Sequence, residues 1–523
     1  MIKEIVIVGG GSAGWLTAGI LASAAKDSLN MPLRITVIES PEVATIGVGE
    51  GTWPTMRTTL QRIGISESDF LIKCRASFKQ GSKFIGWRSG AISDVYDHPF
   101  TLPAGGLNNS LARVWREKFG DLPFSDAVCV QGRVSAKGLA PKQIATPEYA
   151  GALNYGYHLD ADKLGTLLRE HCTKNLNVNH ISNHINEVIS APDGNIDSVR
   201  LVNGELVSAD FFVDCTGLKC LLLGEHLKVK FIDKSKYSIN DTALALRVPY
   251  ESPSDKVASM TEATAQSSGW VWDIGLSSRR GIGHVFSSAH ISDENALDEL
   301  IAYVARRYGK AATKNLEPRK LKIKAGFREK LWSKNCLAIG MSAGFIEPLE
   351  ASALAMVELS ANMLCSELPM SKQTMAISAK RFNRVFSYRW QKIIEFLKLH
   401  YVLTERSDSE YWKDVKSEFT TPGELKEMLA LWAHRQPSLN DFAMVEEVFP
   451  CASFQYVLYG MQPNLPFECL RGDNSACEKA YEAIVGNLKS VAKYEHGLQT
   501  NRELLTSIGE RSLPRIQTPN LDF

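Results

Sequence analysis

Apolar and polar positions along this chain follow two periods, and the period switches at glycine- and proline-marked points. Residues 5–8 are an unbroken β-branched run, Ile-Val-Ile-Val, the pattern of a strand buried on both faces of a parallel sheet. The run enters Gly9-Gly10-Gly11-Ser12-Ala13-Gly14, and apolar residues then recur at helical spacing over 15–25. A second strand pattern over 33–38 ends in Glu39 and Ser40. The same reading predicts helices over 54–63, 67–78 and 161–174, and strands over 84–87, 184–190, 196–201 and 211–213. Residues 94–151 are rich in Gly, Pro, Asn and Ser and read as loop laid over a pocket. Stretches 242–248, 269–276 and 281–287 alternate as strands of an inserted sheet. A strand over 337–339 runs into small residues up to Gly344, and a helix follows from Pro348 to about Leu368. Beyond residue 380 the period is helical, over 380–401, 421–434 and 477–508. The pattern predicts a mixed α/β (α+β) chain: a Rossmann-like box with an inserted sheet over 1–380, and a mostly helical domain over 381–523.

The first glycine cluster carries chemistry because of its setting. Gly9, Gly11 and Gly14 have the G-x-G-x-x-G spacing between a strand and a helix. One glycine makes the tight turn, one lets the backbone approach a pyrophosphate, and one lets helix and strand pack closely. The helix start offers N–H groups and positive dipole to that pyrophosphate. Glu39, at the end of the second strand, is the acidic residue expected on a ribose hydroxyl. A central strand ending Asp214-x-x-Gly217 and a late element, Gly340 to Gly344, complete the layout of flavoproteins whose FAD domain is interrupted by substrate-domain insertions. Between them, Ile46-Gly47-Val48-Gly49-Glu50-Gly51-Thr52-Trp53-Pro54 is either a backbone strap against a flat cofactor or a surface turn.

Bulk numbers narrow the class. At 523 residues the chain exceeds one core, so two or three domains are expected. Its 44% hydrophobic and 22% charged residues are those of a soluble globular protein. A net charge of +1 gives no general attraction for nucleic acid or an anionic membrane. Ten cysteines without a C-x-x-C pair read as reduced thiols, neither disulfides nor a metal site. The first strand begins almost at Met1, and no apolar run is long enough to span a bilayer, so a cytoplasmic protein is expected.

Several motifs occur in one order: Gly9-x-Gly11-x-x-Gly14-Trp15, Gly47-Val48-Gly49-Glu50, Phe78-Lys79, Trp270-Val271-Trp272-Asp273-Ile274, Gly344-Phe345-Ile346-Glu347-Pro348-Leu349-Glu350 and Leu399-His400-Tyr401. Together they resemble the flavin-dependent halogenases of the tryptophan-halogenase type, over nearly the whole chain. The resemblance implies an FAD box of the hydroxybenzoate-hydroxylase type with a helical domain beside it. It implies FAD used as FADH2 delivered by a separate flavin reductase, a halide ion oxidised to hypohalous acid, and transfer to a small aromatic substrate. It further implies cofactor contacts at Gly9, Gly10, Gly11, Ala13, Gly14, Glu39, Ser40, Val43, Ile46, Val48, Gly51, Val188, Met341 and Leu354. A homodimer is compatible with the sequence, and nothing in it marks an interface.

Residue by residue, the resemblance assigns Lys79 to holding the oxidant and Glu350 to assisting substitution on the ring. A desolvated ammonium can donate to hypohalous acid, and a neutral amine can be halogenated; a lysine following a helix is otherwise a solvated charge. Lys83 is the neighbouring alternative. Glu347 fits better as a helix-dipole glutamate. The family's usual Ser-Thr-Gly after the second glutamate is Ala351-Ser352-Ala353 here, which removes a hydroxyl but leaves halide binding by the N–H groups of Ser352 and Ala353. Trp270 and Trp272 share one strand face, as core packing and as a tunnel wall between flavin and substrate. Gly275 stands where the family has proline, so that end of the wall is expected to be looser. His98 and Phe100 resemble the aromatic clamp on substrate, and Phe454 takes the place of a frequent tryptophan. No Tyr-Tyr pair with a following Glu, of the sort that grips a free amino acid, precedes Phe454. An indole-like or phenolic ring is expected rather than free tryptophan. The rivals are a flavin-dependent aromatic monooxygenase, which would not need Lys79, and a non-catalytic FAD-binding descendant.

Overall fold

The computed structural model describes residues 1–27, 33–42, 49–106, 110–368, 371–462 and 474–515. The expected cofactor contacts at Val43, Ile46 and Val48 lie outside these residues. Contacts divide the chain into two interleaved units. One comprises Met1–Arg75, Leu159–Ser235 and Ile323–Gln391, and the other Ala76–His158, Lys236–Lys322 and Lys392–Phe523. The helix Met375–Val402 contains both residue 380 and the unit boundary at Gln391.

In the first unit, among the described residues, six strands form one sheet in the order Trp332–Ser333, Cys336–Ala338, Phe211–Asp214, Glu4–Val8, Arg34–Glu39, Asn179–Ser182. All neighbours are parallel except the edge hairpin at Trp332–Ser333. The β-branched run sits near the centre, with Ile5 opposite Phe211 and Ile35, and both of its faces are buried. The helices Ser12–Asp27, Ala161–Asn175 and Ser352–Glu367 pack together in this unit. A separate antiparallel sheet joins Ile185–Ser190, Ile196–Leu201 and Leu206–Ser208.

In the second unit, seven described strands form a mostly antiparallel sheet. Their order is Arg319–Lys322, Thr242–Pro249, Arg279–Phe286, Gly269–Gly275, Thr261–Ala265, Gly81–Ile85, Val95–Pro99. The helix Asp293–Tyr308 covers one face, packing Ala296, Leu300 and Val304 on Leu244, Leu246, Val271 and Ile282. Ser292 caps its start by accepting from Asn295 N–H, and Asp293 and Glu294 complement its dipole.

Three expectations are corrected. The helix expected over 67–78 stops at Lys73; Arg75 is left-handed (φ 50°), and Ser77–Lys79 is a strand paired with Gly156–Leu159. Three residues are too few to show a period, so the strand exists only through its partner. The loop-rich stretch 94–151 carries the strand Val95–Pro99 and the short helices Leu111–Phe119, Phe124–Val128 and Gln131–Ala136. Their buried sides (Leu111, Val114, Trp115, Phe124) outweigh a turn-rich composition. The helix expected over 477–508 is two, Asn474–Gly497 and Asn501–Arg511, because Thr500 and Glu503 form a capping box that starts a new helix.

Trp272 lies over Gly283 of the neighbouring strand, where a Cβ would meet the indole at 2.2 Å and Leu244 O at 2.6 Å. Gly283→Val is therefore expected to destabilise the fold by roughly 1–3 kcal/mol, read as a lowered midpoint in urea unfolding with the slope unchanged.

Candidate active site

Three stretches far apart in sequence converge in the first unit. Gly9 has φ 112°, and a Cβ there would lie 2.2 Å from Cys215 O. A Cβ on Gly14 would lie 1.9 Å from Gly9 O, so helix and turn approach as the spacing requires. Gly10 packs against the Glu39 side chain, whereas the space beside Gly11 is open, and Ala13 lies in the first turn of the helix. Asp214, fully buried, closes the arrangement. Its carboxylate accepts from Thr216 N–H and Oγ, from Leu222 and Leu223 N–H, and from Ser342 Oγ. Ser342 belongs to the turn Gly340–Ser342 that carries Met341, and Gly340 fits against Ala13. An open glycine backbone at a helix start, with an acidic strand end beside it, fits the pyrophosphate and ribose of FAD.

Glu39 Oε2 is 3.0 Å from His180 Nε2 and 3.6 Å from Arg169, and Ser40 Oγ is 3.0 Å from His184 Nδ1. Gly51 is in the two-residue strand Glu50–Gly51, and Leu354 is buried on the helix Ser352–Glu367. Val188 stands in the separate antiparallel sheet, paired with Val199.

The segment before that helix departs from the regular start expected at Pro348. Glu350 and Ala351 are both left-handed, at φ 63° and 55°, and the α-helix begins at Ser352. Two such non-glycine residues in succession are strained. The turn is tied down by Trp53, whose indole N–H donates to Glu350 O at 2.8 Å. Glu350 is 6% exposed, so its carboxyl lies in protein rather than water. The helix start leaves N–H groups without intrahelical acceptors, and Ala353 there faces outward.

Two further carboxyls, Glu358 outside the motifs and Glu50 at the end of one, belong to the same unit. Glu358 is buried and accepts from Thr55 Oγ1 at 3.1 Å and from Thr59 Oγ1, bracing the helix Thr55–Ile63 against Ser352–Glu367. Burial pushes its carboxyl up to about 7, against the pull of the two threonines. Glu50 is likewise pushed to about 7 by burial and then by repulsion from Asp162.

The second unit gathers the other set. Lys79 is 1% exposed, and its Nζ is 5.3 Å from the Phe100 ring centre. Lys83, four residues on, pairs with Asp97 at 3.0 Å. His98 Nε2 lies 2.9 Å from Ser453 Oγ, with Phe396 and Tyr456 at ring distances of 5.6 and 6.1 Å. Phe454 is buried among the rings of Phe396, Phe442 and Trp432. Trp270 and Trp272 share a face, ring centres 6.4 Å apart, as period two requires. Gly275 is not loose: it is buried, in register with Arg280, and its carbonyl accepts from Ser77 Oγ, two residues before Lys79. His158, on the partner strand, hydrogen-bonds Thr261 Oγ1 at 2.8 Å; burial first and Lys79 second hold its imidazole well below the usual range, hence neutral. A cavity of about 620 Å³ lined by Tyr250, Asp273, Arg280 and Tyr308 includes none of the expected catalytic or substrate residues.

Lys79, Phe100 and His98 thus assemble in one unit, and the glycine cradle with Glu350, Ser352 and Ala353 in the other. Residues outside the motifs (Glu358, Ser77, His158, Ser453, Phe396) were hidden because their partners are distant in sequence. Among the described residues no group of three or more His, Cys, Asp or Glu could hold a metal ion, and no helix is long and apolar enough to cross a membrane.

The parallel sheet and its cradle define a flavoprotein fold. A family model described as tryptophan halogenase matches residues 4–469. Tryptophan 7-halogenase KtzQ of Kutzneria sp. (strain 744) is 31% identical over 432 residues, 79% of each chain. The crystal structure of tryptophan halogenase from Shewanella frigidimarina NCIMB 400 is similar at TM-score 0.94 and 45% identity, covering 98% of this chain and 99% of that one. BrvH, a flavin-dependent halogenase from Brevundimonas sp. BAL3, gives TM-score 0.84 at 30% identity, over 97% and 99%. The chain belongs to the tryptophan halogenase family, flavin-dependent enzymes that halogenate aromatic compounds, and FAD is the cofactor this membership implies.

The Glu358 brace has a pH signature. A carboxyl raised from 4.5 to about 7 adds stability below pH 4.5 that is lost as pH rises through 7. Glu358→Gln keeps a hydrogen-bonding partner for both threonines without the charge. Denaturant unfolding between pH 5 and 9 is expected to show a flatter profile for the variant. At pH 8 it should be the more stable protein, by an amount on the order of 3 kcal/mol at most.

Proposed function

We propose that the enzyme uses FADH2 from a separate flavin reductase, O2 and a halide to halogenate an electron-rich indole-like or phenolic ring, through Lys79 and Glu350. The observation that carries this reading is a lysine buried under an aromatic ring, on a strand beside a histidine–phenylalanine clamp, in a chain of this family. When bound, the reduced flavin supplies the two electrons that let O2 oxidise halide to hypohalous acid. The whole balances as FADH2 + O2 + X⁻ + ArH + H⁺ → FAD + ArX + 2 H2O.

The chain's own residues divide the remaining work. Backbone N–H groups of Ser352 and Ala353 hold the halide at the helix start. Trp270 and Trp272 present a closed aromatic surface that keeps an organic ring from the oxygen chemistry. Lys79 holds the oxidant, as a hydrogen-bonded hypohalous acid or as a haloamine on Nζ, and raises its electrophilicity. Its burial leaves no water to compete for that donor. Glu350 stabilises the cationic ring intermediate and accepts its proton. His98, oriented by Ser453, and Phe100 sandwich the substrate ring. Free tryptophan is disfavoured because no tyrosine pair with a following glutamate is present to grip its amino-acid end.

The test is a reaction of purified protein with FAD, NADH and an added flavin reductase. Chloride and bromide are offered separately against indoles, phenols and tryptophan, with mass spectrometry reading the isotope pattern. A halogenated product is expected, strongest with an indole or phenol. Lys79→Ala should lower it at least roughly hundredfold and Glu350→Gln roughly 10- to 100-fold, with FAD affinity unchanged in both. Hydroxylated product that survives Lys79→Ala would replace this reading with a monooxygenase. Bound flavin with no product from any ring would favour a non-catalytic descendant.

A further inference from the structure

Gln131 opens the helix Gln131–Ala136, is fully buried, and spends its amide on the two chain segments that face each other across Lys79 and Phe100. Its Oε1 accepts from Thr101 N–H at 2.8 Å. Its Nε2 donates to Asn154 O at 2.6 Å and to Gln80 Oε1 at 3.3 Å. Asn154 in turn donates from Nδ2 to Phe100 O at 2.8 Å, and Phe100 N–H donates to Gln80 O at 3.0 Å. Gln80, the residue after Lys79, is anchored further by its N–H to Ser259 O at 2.7 Å and by Nε2 to Leu139 O at 2.8 Å. Every peptide group around Phe100 is therefore fixed, and one amide joins that loop to the Lys79 strand.

We propose that Gln131 is a positioning residue for halogen transfer: it sets the placement of the Phe100 ring over the Lys79 ammonium, and through it the placement of the substrate ring. The inference rests on the roles given above to Lys79 and Phe100. A buried amide with three partners is costly to replace, since an apolar side chain strands the Thr101 N–H and the Asn154 carbonyl. It is also stiff, and stiffness is what a transfer step between two held groups requires. An apolar residue would suffice if this place needed only filling.

Two variants separate positioning from packing. Gln131→Met keeps the volume and loses every bond. Gln131→Glu can still accept from Thr101, and when protonated can donate to Asn154 O, but as a carboxylate it faces two acceptor oxygens. The measurements are halogenated product per NADH consumed, free hypohalous acid captured by a 1,3-diketone scavenger, and FAD affinity, each from pH 5.5 to 8.5. For Gln131→Met the product yield is expected to fall roughly tenfold while scavenged oxidant rises and FAD affinity stays. Gln131→Glu is expected to recover yield toward low pH. In the Phe100→Ala background Gln131→Met should cost nothing further, the mark of two residues acting as one.

Losses that add to those of Phe100→Ala, or product and scavenged oxidant falling together, would overturn the role of Gln131 while leaving the halogenase reading intact. If Gln131→Met does not fold, the pH profile and Phe100 cycle of Gln131→Glu decide alone, and a flat profile overturns the inference. Wild-type protein whose product is indifferent to Lys79→Ala would overturn the underlying reading, and this inference with it.

Discussion

The buried carboxylate of Asp214 is the interaction on which the cofactor side depends. A charge removed from water must be matched by donors at once, and here five come from residues 216, 222, 223 and 342. Satisfying it closes the turn after one strand and draws the Gly340–Ser342 turn to the same place. Gly340 then fits against the first helix, and the backbone at Gly11 is left open. The glycine turn alone would be a loop; with Asp214 satisfied it becomes one wall of a cradle.

The same economy governs the Glu350 turn, where strain replaces charge as the quantity to be offset. Consecutive left-handed residues persist because Trp53 holds the Glu350 carbonyl and the Thr55–Glu358–Thr59 brace holds the helix behind it. Ala351 supplies no side-chain cap there, so the local bond from Ala351 N–H to Pro348 O at 3.2 Å is supplemented by partners distant in the chain. In the second unit the corresponding support is neutral and hydrogen-bonded. Buried amides fix Phe100, and the Ser77 hydroxyl ties the tryptophan strand to the strand of Lys79.

Much of this was legible beforehand where the physics is local. The β-branched run 5–8, the glycine spacing, Glu39 at a strand end and the alternation of Trp270 and Trp272 each carry their own period or turn chemistry, and each stands where expected. Lys79 was legible only by resemblance, since three residues of strand have no visible period and the preceding helix pattern ran over them. The tie at Gly275, the neutral His158 and the Ser453 partner of His98 were not legible at all, because none is near its partner in sequence.

The chain alone determined its alternating elements, its phosphate-binding turn and the order of its motifs, because strand and helix periods and glycine's freedom are properties of neighbouring residues. Only the tertiary structure decided which carboxyls are pushed up to about 7, which lysine meets Asp97 and which meets the Phe100 ring, and how a left-handed turn is held. Those outcomes depend on desolvation and on hydrogen bonds between residues far apart in the chain, as in the Thr55–Glu358 pair at a separation of 303 and the His98–Ser453 pair at 355.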